Sequence, residues 1–312
     1  MRFVDLGAHL AVGLVCLAVS ATAAPAKRTA DEPVTTGPRM AYLKSDGVYI
    51  SRFDGTGAQK LMPAKDISNI AISPEGADLA YTVNIEKKND FERHIELYNF
   101  ASQKSRRLTA VQGNNNYGPI WSPTGYWIMV QHYRDRKWEI AIVGADNDRF
   151  RVLTDKISGR EDILSPAWWS ADGQFIFCYD FKFFYQVDIQ GREISRVPVA
   201  TILGDVEMSS GYSFSLSSNG KLLLFDALKE VPDIKTLEGP PSQIYLRQVG
   251  EIGGKRVSPK GLEGIHPAWI PGDQSFLFVG GAYNKRGIYR MNVDGTTATL
   301  VAPGVAEIST TR

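Results

Sequence analysis

The chain has 312 residues, 43% of them hydrophobic and 22% charged, and its 35 basic and 34 acidic side chains leave a formal net charge of +1. That balance excludes the clustered basic excess of a nucleic-acid-binding domain, and it gives no electrostatic reason for attachment to a membrane surface. A length above 300 would suggest two domains, but all-β folds often run past 200 residues as one unit.

Residues 1–23 read as a secretory signal. Arg2 opens it, Ala8 to Ala18 form an apolar run broken by His9, and Ala21-Thr22-Ala23 fits the small-x-small cleavage pattern. The run is too short for a transmembrane helix, which needs about 20 residues. Cleavage at Ala23 would remove Cys16 and leave Cys178 alone, so no internal disulfide is expected and the core must hold the exported body. Cys178 lies inside Phe175-Ile176-Phe177-Cys178-Tyr179, where a packed thiol is the expectation. Residues 24–38 mix Pro, Thr, Lys, Asp and Glu without periodicity and read as a flexible leader.

From residue 39 onward one turn recurs. Ile72-Ser73-Pro74-Glu75-Gly76 returns as Trp121-Ser122-Pro123-Thr124-Gly125, Trp169-Ser170-Ala171-Asp172-Gly173 and Leu216-Ser217-Ser218-Asn219-Gly220, with a worn copy at Trp269-Ile270-Pro271-Gly272-Asp273. The four glycines stand at 76, 125, 173 and 220, in steps of 49, 48 and 47. A fixed period in the range of about 20–50 residues signals repeated supersecondary units. Each turn joins two β-rich runs, such as Pro119-Ile120-Trp121 and Tyr126-Trp127-Ile128-Met129-Val130, and the second run is apolar enough to be buried on both faces. In the third copy an extra residue leaves either Trp168 or Trp169 able to fill the tryptophan slot.

A second hairpin alternates with the first, in copies starting at Val48, His94, Glu139, Tyr185, Gln243 and Gly287. Two hairpins per period make four strands, the content of a propeller blade. The half-blade lacking from the count divides between the ends. Met40-Ala41-Tyr42-Leu43 parallels Leu79-Ala80-Tyr81-Thr82, and Val305-Ala306-Glu307-Ile308-Ser309-Thr310 parallels Asn69-Ile70-Ala71-Ile72-Ser73-Pro74. The expectation is an all-β, six-bladed β-propeller of four-stranded blades over residues 39–312, closed by pairing of the N- and C-terminal strands in one blade.

The pattern Pro-x-Trp-Ser-Pro-x-Gly, clearest at Pro119 to Gly125, is followed by an apolar strand and then by Ile-Tyr-x-Met-Asn-x-Asp-Gly at Ile288 to Gly295. It resembles the repeat of TolB-like six-bladed propellers. The usual Asp of the turn survives only at Asp172, and the N-terminal α/β domain of TolB has no counterpart here. The resemblance implies an exported, periplasmic or secreted scaffold that binds a protein or peptide of the cell envelope, in TolB's case a peptidoglycan-associated lipoprotein. Related propellers precede peptidase domains, and some are polysaccharide lyases.

By the family's geometry, loops entering the innermost strands and loops between second and third strands share one face. They carry the candidate binding residues Asn115, Tyr117, His132, Tyr133, Arg134, Trp138, Glu161, Asp162, Tyr179, His266, Tyr283 and Arg286. Aromatic and Arg side chains of this kind anchor protein interfaces. The insertion from Asp226 to Ser242, with Pro232 and Gly239-Pro240-Pro241, is the longest departure from the repeat and should be irregular. No cofactor, metal site or catalytic residue is expected. The alternative is a carbohydrate-active enzyme of the lyase kind, using His132 and His266 with a divalent metal in the channel. The repeated serines lack the strand-turn-helix setting of a hydrolase nucleophile, and their turns account for them.

Overall fold

The computed structural model describes residues 37–312 apart from 89, 109–112, 114, 147–148, 209–212, 235–239, 283–284 and 296, with the backbone alone at 90 and 91. The expected signal, nearly all of the leader, and Tyr283 lie outside the described residues.

Twenty-four strands form six four-stranded antiparallel sheets. The first sheet takes β1 (Met40–Lys44), β2 (Gly47–Ser51) and β3 (Gln59–Met62), with β24 (Val305–Thr310) as its inner strand. The second runs outward from β4 (Ile67–Ile72) through β5 (Asp78–Lys87) and β6 (Asp90–Asn99) to β7 (Lys104–Arg107). The third is β8 (Asn116–Trp121), β9 (Trp127–Arg134), β10 (Lys137–Gly144) and β11 (Phe150–Val152). The fourth is β12 (Ser165–Trp169), β13 (Phe175–Tyr179), β14 (Phe183–Asp188) and β15 (Glu193–Pro198), followed by one helical turn, α1 (Val199–Leu203). The fifth is β16 (Phe214–Leu216), β17 (Leu222–Leu228), β18 (Ser242–Gln248) and β19 (Lys255–Arg256). The sixth is β20 (Gly264–Trp269), β21 (Ser275–Gly280), β22 (Gly287–Asn292) and β23 (Thr299–Pro303). The inner strands touch in succession, β24–β4–β8–β12–β16–β20 and back to β24, so the molecule is a closed six-bladed β-propeller.

Pairing of β1 with β24 closes the ring as the repeat arithmetic requires. The register differs by two residues from the parallel drawn above. Thr310 pairs with Met40 as Ile72 pairs with Leu79, which makes Glu307, and not Val305, the counterpart of Asn69 counted from the turn. The extra bulge residues of β4, between Ser68 and Ala71, hid that offset.

The recurring turn explains its own residues. Ser73 N–H donates to Asp78 O at 2.8 Å, Gly76 N–H to Ser73 O at 2.9 Å, and Ser73 Oγ accepts Asp78 N–H at 3.0 Å. Ser122, Ser170 and Ser217 accept from Trp127, Phe175 and Leu222 in the same way, at 3.1, 2.9 and 2.9 Å. The turn glycine has positive φ, 76° at Gly76 and 73° at Gly125. It also touches the preceding blade: a Cβ on Gly125 would stand 3.0 Å from Glu75 Oε2.

Tryptophan at the end of the inner strand serves the seams. Trp121 Nε1 donates to Ala71 O (2.9 Å), Trp169 Nε1 to Ile120 O (3.1 Å) and Trp269 Nε1 to Ser215 O (2.8 Å), each reaching the preceding blade. Trp169 therefore fills the slot left open in the third copy. Trp168 faces the other way, stacked 4.7 Å from Phe177 and beside Phe184 and Phe214. Between the Trp layer and the rim, each seam is apolar. Met129, Ile140 and Ile142 pack against Ile176, Cys178 and Val187, and burial pushes the Cys178 thiol pKa up.

Trp121→Phe should lower stability by about 2 kcal/mol, because it leaves a buried carbonyl unpaired as well as removing ring area. Trp127, half-buried and without an indole bond to a seam carbonyl among the described residues, is the control. Urea midpoints decide: equal losses for Trp121→Phe and Trp127→Phe would show that the seam bond contributes nothing of its own.

Candidate functional site

The inner strands enclose a central cavity of about 540 Å³. Its wall is irregular at the end where the chain enters these strands. Asn69, Gly118 and His266 have φ of 49°, 68° and 51°, each within a bulge of β4, β8 or β20. A bulge releases backbone N–H groups from the ladder. Here a side chain from the preceding blade accepts them. Glu307 accepts Asn69 and Ile70 N–H at 3.0 and 2.9 Å and Thr82 Oγ1 accepts Gly118 N–H at 3.2 Å, while the Asp226 carboxyl lies beside His266 N–H in the third bulge.

Burial outweighs these bonds electrostatically and pushes both carboxyls, Glu307 and Asp226, up to about 7. Asp226 is 1% exposed, its Oδ1 accepts Ser213 N–H at 2.8 Å, and its Oδ2 has no partner among the described residues. His266 Nδ1 lies 2.6 Å from Ser213 Oγ, and burial lowers its pKa to about 4, so the ring is neutral. Serine and histidine at this distance suggest a nucleophile and its base. However, Asp226 accepts the Ser213 backbone N–H and makes no hydrogen bond to the imidazole among the described residues, and so weak a base removes a hydroxyl proton poorly. The trio locks the seam between the fifth and sixth blades.

The loops at this end form the second feature, over the third and fourth blades. Tyr117 carries the Arg93 guanidinium 4.7 Å above its ring and meets Trp138 edge-on at 5.2 Å. Trp138 in turn lies 4.9 Å from Tyr133, which is 39% exposed. Trp138 bridges in parallel to Ile163, 47% exposed, and Phe181 in the neighbouring turn is 68% exposed.

Buried charge holds the two segments that display Ile163 and Phe181. Arg160 donates to Glu139 Oε1 at 2.5 Å, to Thr154 O at 3.1 Å and to Glu161 O at 2.8 Å, while Thr154 Oγ1 donates to Glu139 Oε2 at 2.7 Å. Asp180 accepts four donors: Lys182 and Phe183 N–H at 2.7 and 2.8 Å, Tyr185 OH at 2.6 Å and Glu161 N–H at 3.2 Å. Those donors hold the Asp180 carboxyl below its ordinary pKa although burial opposes them. Phe181 therefore stands at the tip of a turn fixed from beneath.

The sequence-derived candidates divide accordingly. Tyr117, Tyr133, Trp138, Glu161 and Asp162 converge here, with Glu161 paired to Lys182 at 2.5 Å and Asp162 to Lys137 at 3.1 Å. Arg134 lies at the same edge, 3.7 Å from Asp135 and 4.0 Å from Asp155. Asn115 is half-buried, and its carbonyl accepts Tyr133 N–H at 3.0 Å. Tyr179 is buried against Phe184 and Phe214 and faces the cavity. Arg286 lies by the closing strand, where its carbonyl accepts Gly304 N–H at 2.8 Å.

His132 and His266 do not meet. His132 is buried, its Nδ1 lies 2.8 Å from Asn116 Oδ1, and its ring packs on Phe150, whereas His266 faces the cavity. Among the described residues no group of three or more His, Cys, Asp or Glu could hold a metal ion. Ile163, Arg93 and the two charge networks escaped the sequence-based reading, and Phe181, in a loop assigned to this face, was not among the residues singled out. The only available signal for Phe181 was an aromatic residue in a short inter-strand turn.

Six four-stranded blades around a polar-mouthed channel place the chain in the class of six-bladed propellers, and the fold is that of TolB and TolB-like propellers. TolB from Acinetobacter baumannii superposes with a TM-score of 0.64 at 16% identity, over 89% of this chain and 68% of that one. The putative TolB from Agrobacterium tumefaciens gives 0.60 at 14% identity, over 85% and 88%. A chain of the nidogen/laminin complex gives 0.62 at 10% identity, over 88% and 99%. Likeness at these identities is one of fold. No protein-family model and no curated protein matches the sequence. Among the described residues no helix is long and apolar enough to cross a membrane.

Asp226 gives a pH-dependent signature. Its folded pKa of about 7 lies above the ordinary 3.8, so folding favours the neutral form. The stability this contributes is complete below the unfolded pKa and is lost as pH rises through the folded one. Between about pH 5 and pH 8 the wild type should lose about 2 kcal/mol more than Asp226→Asn. Unfolding midpoints across that range check it, and parallel profiles would exclude the carboxyl.

Proposed function

We propose that this chain is an exported binding propeller that captures a protein or peptide partner in the cell envelope. Its docking surface is the loop end of the third and fourth blades. The observation that carries this reading is the row Tyr133, Trp138, Ile163 and Phe181, displayed on segments that Arg160–Glu139 and Asp180 hold in place. Exposed aromatic and aliphatic side chains on a fixed backbone lose little entropy on binding, which makes them efficient anchors. The charges around them are already paired with one another, Lys137 with Asp162 and Lys182 with Glu161. A partner therefore gains its affinity chiefly from apolar contact, with the ionic rim setting orientation.

The TolB-like fold supports an envelope role, and the nidogen/laminin neighbour is itself named for a complex between proteins. The residues 1–23 that read as a secretory signal support export.

Phe181→Ala and Tyr133→Ala should each weaken capture of an envelope partner at least about tenfold, the cost of a binding hot spot, with thermal unfolding unchanged in Phe181→Ala, whose side chain is 68% exposed. Pull-down from envelope extract with mass spectrometry, followed by titration of the captured protein, reads this. Capture undiminished in both variants would overturn the assignment.

A further inference from the structure

The opposite end of the ring carries a second concavity, unconnected with the proposed docking surface. It lies between the second and third blades, where the hairpins after β4, β6, β8 and β10 emerge, and its volume is about 510 Å³. That is within the usual range for small-molecule sites, about 300–1,000 Å³.

One wall is Tyr126, the residue after the turn glycine of the third blade, 69% exposed. In the other copies of the turn this position is Ala77, Gln174, Lys221 or Gln274, so no other copy places a ring beside its seam. The platform is fixed: Ala145 N–H donates to Tyr126 O at 3.0 Å, and the adjoining Gly125 sits against Glu75. The buried side chain of Leu97 lines the groove as well. Arg106 donates to Ala145 O and so ties the two blades together along it.

Its polar groups are mixed and oriented. Asn99 Nδ2 donates to Asp78 Oδ1 at 2.8 Å, while Asn99 Oδ1 accepts Ser102 N–H at 2.9 Å. The Lys104 ammonium and the Asp146 carboxylate line the same groove, and neither has a partner among the described residues. Among the described residues Asp78 and Asp146 stand with Lys104 and Arg106, and Glu75 adjoins Gly125, so the lining has no cationic excess.

We infer that this groove binds a neutral saccharide of one or two rings. The apolar C–H face of a sugar ring packs on the negative face of an exposed aromatic ring. Its hydroxyls need donors and acceptors side by side, which Asn99, Asp78, Asp146 and Lys104 supply. A lining without cationic excess disfavours a phosphorylated or polyanionic ligand, whose charge would be desolvated without full compensation.

The test is titration of the purified protein with maltose, cellobiose and N,N′-diacetylchitobiose, followed by calorimetry and ligand-observed NMR. At least one should bind with a dissociation constant of about 1 mM or tighter. Tyr126→Ala should weaken that binding at least about tenfold, and Asp146→Asn several-fold, with unfolding temperature unchanged because both side chains are exposed. Tyr133→Ala should bind the sugar as the wild type does, which separates this site from the docking surface. No binding of any of the three at that strength, or binding undiminished in Tyr126→Ala, would overturn the inference.

Discussion

Trp121, Trp169 and Trp269 each end an inner strand and each send an indole N–H across a seam to a backbone carbonyl of the blade before. Apolar packing alone would let neighbouring blades slide, since it is non-directional. A hydrogen bond to one particular carbonyl fixes the rotation of a blade about the ring axis. The three seams without a tryptophan hydrogen bond use other groups at the same level. Ile72 N–H donates to Ser309 Oγ at 3.0 Å, and Thr310 Oγ1 donates to Trp269 O at 2.8 Å. At the seam between the fourth and fifth blades, Trp168 and Phe214 pack at 5.2 Å beside the buried Leu203 of α1. The closing blade is thus joined by the same kind of bond as the rest, although its inner and outer strands come from opposite ends of the chain.

Fixing the blades this way leaves the bulge N–H groups of β4, β8 and β20 facing a seam with no ladder partner. Unpaired, each would cost about 1–3 kcal/mol. Glu307 and Thr82 accept those of β4 and β8, and the Asp226 carboxyl lies beside that of β20, but both carboxyls are taken out of water, and their pKa values of about 7 record the conflict. An Asn or Gln could accept the same bond without charge. Retaining an acid makes the seams sensitive to pH near neutrality, a property the ring itself does not require.

The architecture was legible because a hairpin turn has few chemical solutions. Gly76, Gly125 and Gly173 must adopt positive φ, so they recur at a spacing that reports strand length directly. Continuous apolar runs were legible too: Ile128, Met129 and Val130 read as buried on both faces of the sheet and are. What failed to show in the letters depends on which neighbour a side chain meets. Trp168 and Trp169 are indistinguishable in sequence, and only the bulge between Pro166 and Trp168 decides which faces the seam. His132 read as a loop residue because it opens the polar run from His132 to Lys137, yet β9 extends to Arg134 and buries it. Asn69 and His266 are of types enriched at positive φ, but that preference is too weak to single out one position in a sequence. Glu139 and Arg160 lie 21 residues apart, so their pairing could not be inferred from spacing.

The rigid ring also decides where exposed aromatics can serve. A ring on a mobile loop folds back onto the surface, and ordering it again opposes binding. Phe181 cannot do so, because Asp180 holds Lys182 N–H, Phe183 N–H and the Tyr185 hydroxyl around the turn that bears it. Tyr126 cannot either, since its carbonyl bonds Ala145 and the preceding glycine is wedged against Glu75. Both rings stay in water because the backbone beneath them is tied to a neighbouring strand or blade. The stiffness created at the seams is therefore delivered to both ends of the propeller, and surface contacts there begin from an ordered state.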